Sequence, residues 1–241
     1  MKISVVVPAF NEEKLLPKTL ASIQAANFAW VKRGWSSEMI VCNNNSTDQT
    51  AAVAAAAGAR VVFEPINQIS RARNTGAAHA TGDWIVFVDA DSEPSQELFS
   101  AAAAAIAGGK VIAGGSTLTL EAKGWDVYWM MRVWNLISRI KGWMAGAFIF
   151  VETTAFQQVG GFSHDLFVGE ELDLAKKLHK LARKQRKKIV ILKVAPLLTS
   201  ARKTQLYSRK ELLQFFLKVT LSRKATETNR EACNVWYDGR R

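Results

Sequence analysis

The sequence has few cysteines and no long apolar run. Its 241 residues include two cysteines, Cys42 and Cys233, which are too few for a disulfide framework. The uncharged apolar stretch at residues 142–151 has about half of the ~20 residues that a membrane-spanning helix needs. The apolar run at the start of the chain breaks at Pro8, so it lacks the length of a secretory signal peptide. We therefore predict a cytoplasmic protein of a reducing compartment, with no segment that crosses a membrane.

Basic residues are scarce in the first half of the chain and abundant in the second. The whole sequence has 32 Lys and Arg and 21 Asp and Glu, a formal net charge of +11. Residues 1–122 hold 9 of the basic and 11 of the acidic side chains, so their net charge is −2 and that of residues 123–241 is +13. This asymmetry excludes a uniformly basic nucleic-acid coat, and we predict no specific nucleic-acid partner. Only the second half is expected to face an anionic partner.

The order of sequence patterns predicts an α/β protein. Short β-branched runs alternate with helical patterns, which is typical of a mostly parallel sheet covered by helices on both faces. The predicted strands are residues 3–7, 39–42, 61–63, 84–88, 111–120, 147–151 and 189–192. The predicted helices are residues 16–26, 48–57, 71–80, 96–107, 125–140, 170–187 and 211–221, with a short one through Phe156. No linker or repeat separates the halves, so we predict one compact domain of two lobes.

Polar residues follow three of the predicted strands, at residues 8–13, 43–48 and 89–91. Ligands of open parallel sheets bind outside the carboxyl ends of the strands, so these clusters are expected to converge on one crevice. Asp89 and Asp91 are two residues apart, which in extended backbone places both carboxylates on the same side, roughly 7 Å apart. Such a pair suits a hard cation that takes its other ligands from a diphosphate. The alternative is a turn or helix-capping pair, which explains most isolated matches of this kind.

Taken together, the motifs resemble those of the family 2 glycosyltransferases over nearly all of the chain. They are VVVPAFNEE at 5–13, NNSTDQT at 44–50, ARNTGAAHATGDWIVFVDADS at 72–92, GGF at 160–162 and GEELDL at 169–174. The resemblance implies a GT-A fold with a Rossmann-like sheet and a hexosyltransferase that uses a nucleotide-diphospho-sugar donor. It also implies Mg²⁺ or Mn²⁺ as cofactor and inversion at the anomeric carbon. The donor is then expected in residues 1–122 and the acceptor in residues 123–241.

The resemblance also implies roles for single residues. It assigns to the donor site Pro8, Ala9, Phe10, Glu12, Asn44, Arg73, Asp89 and Ala90. In this assignment Asp89 lies beside the ribose and Asp91 binds the metal that bridges the diphosphate, with Asp89 as a further metal ligand. Glu170 and Glu171 match the acidic pair of the family, and Glu171 occupies the place of the catalytic base. The alternative is that these acids only stabilise the dipole of the helix that they begin.

One position departs from the family pattern. Asn43 and Asn44 stand where many members have two aspartates, which puts the identity of the nucleotide base in doubt. An asparagine amide both donates and accepts hydrogen bonds, so it could pair with the edge of a base. Alternatively, residues 43–45 form a plain turn before a capped helix.

Aromatic residues on the predicted helix 125–140 are candidates for an acceptor site. Trp125, Trp129, Val133, Leu136 and Ile140 form one helical stripe, and such a stripe is most often core, which we favour. The alternative is an acceptor groove that stacks sugar rings or holds a lipid chain. Its candidate residues are Trp129, Trp143 and His164.

The predicted helix from Glu170 is strongly basic. Leu174, Leu178 and Leu181 fall on one face, and eight of the thirteen residues from 176 to 188 are Lys or Arg. A solvated face is one interpretation. The other is contact with an anionic membrane surface at the inner face of the membrane, or with a polyanionic acceptor.

The function that these patterns favour is transfer of a sugar from a UDP- or GDP-linked donor to a glycan or a lipid-linked acceptor. One alternative is a nucleotidyltransferase on a similar sheet, although the loop after the first strand lacks the glycines expected of that class. The other is a non-catalytic basic binding protein.

Overall fold

The computed structural model describes residues 1–121, 125–144, 146–202, 206 and 227–233. The strands are β1 (Lys2–Ala9), β2 (Ser36–Asn43), β3 (Arg60–Phe63), β4 (Trp84–Val88), β5 (Ser92–Glu93), β6 (Val111–Leu120), β7 (Phe148–Glu152) and β8 (Lys188–Thr199). The helices are α1 (Leu16–Ala26), α2 (Phe28–Val31), α3 (Thr50–Ala56), α4 (Ile69–Ala78), α5 (Gln96–Ala107), α6 (Trp125–Lys141), α7 (Thr153–Gln158) and α8 (Glu170–Gln185). The helix predicted for residues 211–221 lies outside the described residues.

The described strands form one sheet in the order β3-β2-β1-β4-β7-β6-β8-β5. Strand β1 is parallel to both β2 and β4, and β2 is parallel to β3. Strand β7 is antiparallel to β4 and β6, whereas β6 and β8 are parallel. The chain leaves β1 on one side for β2 and β3 and then places β4 on the other side. Ligands of such sheets bind outside the carboxyl ends of the strands where the order reverses.

The core lies on both faces of the sheet because alternate residues of a strand point in opposite directions. Val5 and Val7 of β1 join a cluster with α1, α2 and α5 that includes Trp30 and Phe99. Val6 joins the other cluster, with α4, α7 and α8. Full burial of each large apolar side chain contributes about 1.5–3 kcal/mol, and burial on both faces explains the continuous apolar runs of these strands.

The α/β architecture and the mostly parallel sheet confirm the predicted fold class. Helix α2 and strand β5 were not predicted, and β8 is longer than the predicted strand. Strand β8 leaves its register with β6 after Leu192 and resumes it at Leu197. The charged Lys193 and the ring of Pro196 lie in this irregular stretch, so the apolar pattern ends before the strand does.

Helices α6 and α8 differ in which face they turn inward. Leu174 and Leu178 of α8 are buried, as predicted. In contrast, Trp125 of α6 is 79% exposed and Ile140 is 71% exposed, so the expectation that the aromatic stripe is mainly core is wrong. The reason is that α6 packs on β6 through a polar side chain, Asn135, and turns its apolar side outward.

Candidate active site

A cavity of about 210 Å³ opens at the carboxyl ends of β1 and β4. It is lined by all the residues predicted for donor binding, metal binding and catalysis: Pro8, Ala9, Phe10, Glu12, Asn44, Arg73, Asp89, Ala90, Asp91, Glu170 and Glu171. It is also lined by residues that were not predicted: Asn67, Ile69, Ala72, Gly146, Ala147 and Arg202. The polar clusters that follow separate strands in the sequence therefore meet at one place.

The loop after β1 is held in place by the polar residues that follow β2. The backbone N–H of Asn11 donates to the hydroxyl of Ser46 at 3.0 Å, and that of Glu12 donates to the hydroxyl of Thr50 at 2.8 Å. In return, the backbone N–H of Thr47 donates to Oδ1 of Asn11 at 2.8 Å. These reciprocal bonds satisfy loop donors that lie next to the cavity and fix the wall that the loop forms.

Arg73 of α4 is buried between two carboxylates, and we call Arg73, Asp89 and Glu170 the inner cluster. Its Nη1 donates to Oε1 of Glu170 at 2.7 Å and its Nη2 donates to Oδ1 of Asp89 at 2.8 Å. Burial lowers the pKa of Arg73, but the charges of Asp89 and Glu170 outweigh this and raise it above its usual value. The guanidinium therefore stays charged and ties α4, α8 and the end of β4 together.

Gly146 allows this packing because it has no side chain. Its carbonyl accepts from Nη2 of Arg73 at 3.1 Å. A Cβ at this position would lie 2.8 Å from the same nitrogen, closer than real contacts allow. The guanidinium plane thus rests directly against the backbone that leads into β7.

A second arginine lies at the other side of the cavity, and we call Arg202, Glu12 and Asp91 the outer cluster. Arg202 donates through both Nη atoms to the two carboxylate oxygens of Glu12, at 2.8 and 2.7 Å. Its Nη2 lies 3.6 Å from Oδ2 of Asp91. The Arg202 side chain is 15% exposed, against 2% for Arg73, so Arg202 is the more accessible of the two arginines.

Glu170 and Glu171 are adjacent but differ in environment. Gly169 precedes α8 with φ +77°, a left-handed conformation that turns the chain so that both acids start the helix at the cavity. Glu170 is 4% exposed and paired with Arg73, whereas Glu171 is partly exposed and lines the cavity. Burial raises the pKa of Glu170, and the charge of Glu171 raises it further. Glu171 is therefore the acid that an incoming molecule can reach.

The amide of Asn44 is used within the protein. Its nitrogen donates to the carbonyls of Glu64 and Ile66 at 3.2 and 2.7 Å, and its oxygen accepts from the N–H of Gln68 at 2.9 Å. Asn43 accepts from the backbone of the following turn. Asn44 lines the cavity, but both of its amide donors and one lone pair of its oxygen are used within the protein, and this geometry favours the turn interpretation.

Asp89 and Asp91 fit a divalent cation only if a ligand completes its coordination. Among the described residues, no three His, Cys, Asp or Glu side chains are placed to hold a metal ion. Both carboxylates line the cavity, with side chains 27% and 21% exposed. Hard carboxylate oxygens with open positions beside them match Mg²⁺ or Mn²⁺, which are held by a few carboxylates together with substrate phosphates. The donor set thus agrees with the predicted cofactor class.

The acceptor candidates Trp129, Trp143 and His164 do not line this cavity. Trp129 is 56% exposed on α6. His164 is exposed, and its Nε2 lies 2.8 Å from the amide nitrogen of Asn74. Their assignment to an acceptor site stays a prediction.

Arg202 is the main functional candidate that the sequence patterns missed. It belongs to no motif, and the strand that carries it to the cavity was predicted to end at residue 192. A basic residue shortly after the carboxyl end of a strand could have indicated a cavity residue. The apolar pattern did not show where β8 ends, so this signal could not be used for Arg202. Arg202 and Glu12 are 190 positions apart in the sequence, and no sequence pattern indicated that their side chains form an ion pair.

Solved structures of glycosyltransferases share this fold. Staphylococcus aureus TarS in complex with UDP-GlcNAc superposes with a TM-score of 0.66 at 19% identity, over 98% of this chain and 69% of that chain. Glucosyl-3-phosphoglycerate synthase from Mycobacterium tuberculosis, in complex with Mn²⁺, UDP and phosphoglyceric acid, superposes with a TM-score of 0.64 at 21% identity, over 92% and 78% of the two chains. The fold is thus that of the GT-A glycosyltransferases.

The sequence narrows this class to one family. Residues 4–163 match Glycosyl transferase family 2, and this region includes the loop after β1 and both cavity aspartates. The chain belongs to glycosyl transferase family 2. Helix α8, with Glu170 and Glu171, lies beyond the matched region.

Curated relatives match mainly over a shorter stretch. An uncharacterized glycosyltransferase of Mycobacterium bovis is 42% identical over 89 residues, which are 37% of this chain and 36% of the relative. The matched part of the chain therefore spans little more than a third of that relative's length.

Proposed function

We propose that this protein is an inverting, metal-assisted glycosyltransferase that moves a hexose from a nucleotide-diphospho-sugar to an acceptor hydroxyl. The observation that carries the proposal is that Asp89, Asp91 and Glu171 line one cavity at the carboxyl ends of β1 and β4. Membership of glycosyl transferase family 2 supports a nucleotide-sugar donor. The complexes of two structural neighbours, one with UDP-GlcNAc and one with Mn²⁺ and UDP, support the same class of ligand and a UDP- or GDP-linked donor here.

Asp91 and Asp89 are the residues that would hold Mg²⁺ or Mn²⁺. When bound, such a cation stabilises the negative charge that develops on the departing nucleotide diphosphate. Asp89 keeps one oxygen on Arg73, at 2.8 Å, so its carboxylate is held in a fixed orientation toward the cavity. Asp91 lines the cavity and faces Arg202 at 3.6 Å, and it is the stronger candidate for the direct ligand.

Glu171 is the base in this proposal. It takes the proton of the acceptor hydroxyl as that oxygen forms a bond to the anomeric carbon. The bond between this carbon and the diphosphate oxygen breaks on the opposite side, and its electron pair leaves with the nucleotide diphosphate. Glu170 cannot serve in this way because its carboxylate is buried against Arg73, so it acts by positioning the first turn of α8.

Arg202 would meet the diphosphate of the donor. In the structure its guanidinium faces two carboxylates, Glu12 and Asp91. A cation bound at Asp91 would compete with Arg202 for that carboxylate, leaving the Nη2 edge of Arg202 directed at the cavity. Arginine pairs well with phosphate oxygens because its planar group donates two parallel hydrogen bonds.

We assign the donor to residues 1–122 and the acceptor to the second half of the chain. The acceptor is a glycan or a lipid-linked molecule, with Trp129, Trp143 and His164 as candidate contacts. The basic surface of α8 supports the proposed peripheral contact with an anionic membrane, and the location proposed with it is the cytoplasm at the inner face of the membrane. Neutralising several of its lysines should then weaken binding to anionic vesicles and make it less dependent on salt.

The test is a panel of nucleotide sugars, screened with Mn²⁺ for donor hydrolysis and donor binding, followed by the variant Glu171→Gln. Loss of a general base is expected to lower kcat by about 10²–10⁴-fold and to leave donor binding nearly unchanged. Glu97→Gln is a matched control, because Glu97 is also a glutamate in the first turn of a helix but is exposed on α5. If both variants lost activity equally, the two acids would act only on their helix dipoles.

The same panel separates the rival functions. A nucleotidyltransferase would bind a nucleoside triphosphate and a sugar phosphate in place of the nucleotide sugar. A nucleic-acid-binding protein would bind with a steep salt dependence and would keep that binding when the divalent metal is chelated. Failure to bind any nucleotide diphosphate, with or without Mn²⁺, would refute the proposed transferase.

A further inference from the structure

Helix α6 faces the protein with a mixed side, which holds the partly buried Met131, Trp134 and Asn135 and the buried Ser138. The side chain of Asn135 accepts from the backbone N–H of Leu118 and donates to the carbonyl of the same residue, both at 2.9 Å. Ser138 is 1% exposed and donates to the carbonyl of Trp143. The helix is thus attached to β6 and to its own end by hydrogen bonds, which leaves its apolar residues free to point elsewhere.

The outward side of α6 carries a continuous set of large apolar residues, each between 38% and 79% exposed. They are Trp125, Tyr128, Trp129, Val133, Leu136, Ile137 and Ile140. Apolar surface costs about 25 cal/mol per Å² when it is left in water, and a run of this length on one helix is unusual for a surface that stays in water. This side of the helix therefore has the composition of a contact surface.

Basic residues lie toward both sides of this apolar surface. Because successive helix residues turn by about 100°, Arg132 and Arg139 fall between Tyr128 and Trp125 toward one side, and Lys141 falls beyond Ile137 on the other. Arg132 lies over the rings of Tyr128 and Trp129, at 5.6 and 5.9 Å from their centroids. The helix has a single acid in sequence, Asp126 in the first turn, which the same rotation places at the position between Val133 and Ile137, so the three basic residues outnumber it.

We propose that this side of α6 docks onto the surface of a bilayer that contains anionic lipids. The apolar side chains would enter the boundary between headgroups and acyl chains, and the three basic residues would lie at headgroup level. Among the described residues no helix is both long and apolar enough to cross a membrane, so the contact is in the plane of the interface. The inference rests on the proposed peripheral association but assigns it to α6 rather than to α8 alone.

A second copy of the chain fits this surface less well. Pairing the same surface of two copies would bring Arg132, Arg139 and Lys141 of each copy close together, with a single acid in the sequence of each helix to offset them. Anionic headgroups complement all three charges. Docking would also serve the proposed reaction, because α6 ends five residues before Gly146, which lines the cavity. The cavity would then lie near the bilayer, where a lipid-linked acceptor resides.

The test measures co-sedimentation of the full chain with phosphatidylcholine vesicles that contain or lack phosphatidylglycerol. The variant Val133→Glu/Ile140→Glu should bind the anionic vesicles at least about tenfold more weakly than the unmodified chain. Val31→Glu/Val194→Glu is the matched control, since Val31 and Val194 are 61% and 78% exposed on other elements and the change in charge is the same. The control should bind vesicles like the unmodified chain. Both variants should keep the donor affinity and the unfolding temperature of the unmodified chain.

Each other outcome would overturn the inference. Equal binding by both variants would leave membrane association to α8 and exclude α6 as the docking surface. Absence of vesicle binding by the unmodified chain would refute the association itself while leaving the donor-binding experiments intact. A dimer in analytical ultracentrifugation that only the α6 variant dissociates would identify a second copy as the occupant.

Discussion

The inner and outer clusters have the same composition, one arginine and two carboxylates, yet they lie in different surroundings. Arg73 is held by Glu170, Asp89 and a backbone carbonyl, with its side chain 2% exposed. The guanidinium of Arg202 donates to Glu12 at 2.8 and 2.7 Å and faces Asp91 at 3.6 Å. The inner cluster is a fixed part of the scaffold, whereas the outer cluster keeps charges that can exchange partners when a ligand arrives.

This difference has an energetic side. Removing one member of a buried ion pair leaves the other charge without compensation, which costs about 3–5 kcal/mol, and the greater access of water to Arg202 should reduce this cost in the outer cluster. Substitutions in the inner cluster should therefore affect mainly the free energy of unfolding. Substitutions in the outer cluster should affect mainly ligand binding and turnover.

The largest effect is expected for Asp91→Asn. If Asp91 binds the metal as proposed, loss of its carboxylate should lower kcat by about 10³-fold or more, since charge on the leaving group is then not stabilised. Mn²⁺ binding, followed by electron paramagnetic resonance in the presence of UDP, should weaken in parallel. Asp165→Asn, at an exposed position outside the cavity, is the control and should retain both properties. Unchanged turnover in Asp91→Asn would contradict the metal assignment.

Arg73→Gln probes the inner cluster. We expect the free energy of unfolding, measured with urea, to fall by about 3–5 kcal/mol, because two carboxylates lose their buried partner. Arg71→Gln, two residues away on the same helix and only partly buried, should cost much less. Adding Glu170→Gln to Arg73→Gln should restore part of the loss, and a further loss would show that the two charges act independently.

Arg202→Lys probes the outer cluster. Lysine keeps the charge but loses the planar pair of donors, so donor binding should weaken by about tenfold. Because the positive charge stays beside Glu12, the free energy of unfolding should fall by less than the about 3–5 kcal/mol expected for Arg73→Gln. If stability fell as far as in Arg73→Gln while donor affinity held, the two clusters would not differ in the way described above.

The smallest effect concerns pH. Burial raises the pKa of Glu170 above its value in the unfolded chain, which is about 4.3. A carboxyl with a raised pKa contributes stability that is complete below the unfolded pKa and is lost as pH rises toward the folded-state pKa. From about pH 4.3 upward, the unfolding free energy of the unmodified chain should therefore fall relative to that of Glu170→Gln. Glu231→Gln, at an exposed position, should follow the unmodified chain.

The cavity could be predicted from the sequence because its residues stand at the ends of strongly apolar strands. Asp89 and Asp91 follow β4 directly, and Glu171 starts a helix with a clear leucine face. Arg202 and the orientation of α6 could not be predicted, since both depend on contacts between distant parts of the chain. In the sequence, the stripe of α6 that includes Trp129 has the pattern of a core-facing side. Only the packing of Asn135 on β6 shows which side of the helix faces the protein.

The ion pair between Glu12 and Arg202 joins residues 190 positions apart, and this separation bears on how the protein is made. Strands β1, β2 and β3 can pair as soon as the first quarter of the chain has left the ribosome. The part of the cavity wall that Arg202 forms cannot assemble at that stage, because contacts between residues far apart in the chain carry a large loop-closure cost and form late. We therefore expect a nascent or truncated chain to acquire its donor-side sheet well before it acquires a closed catalytic cavity.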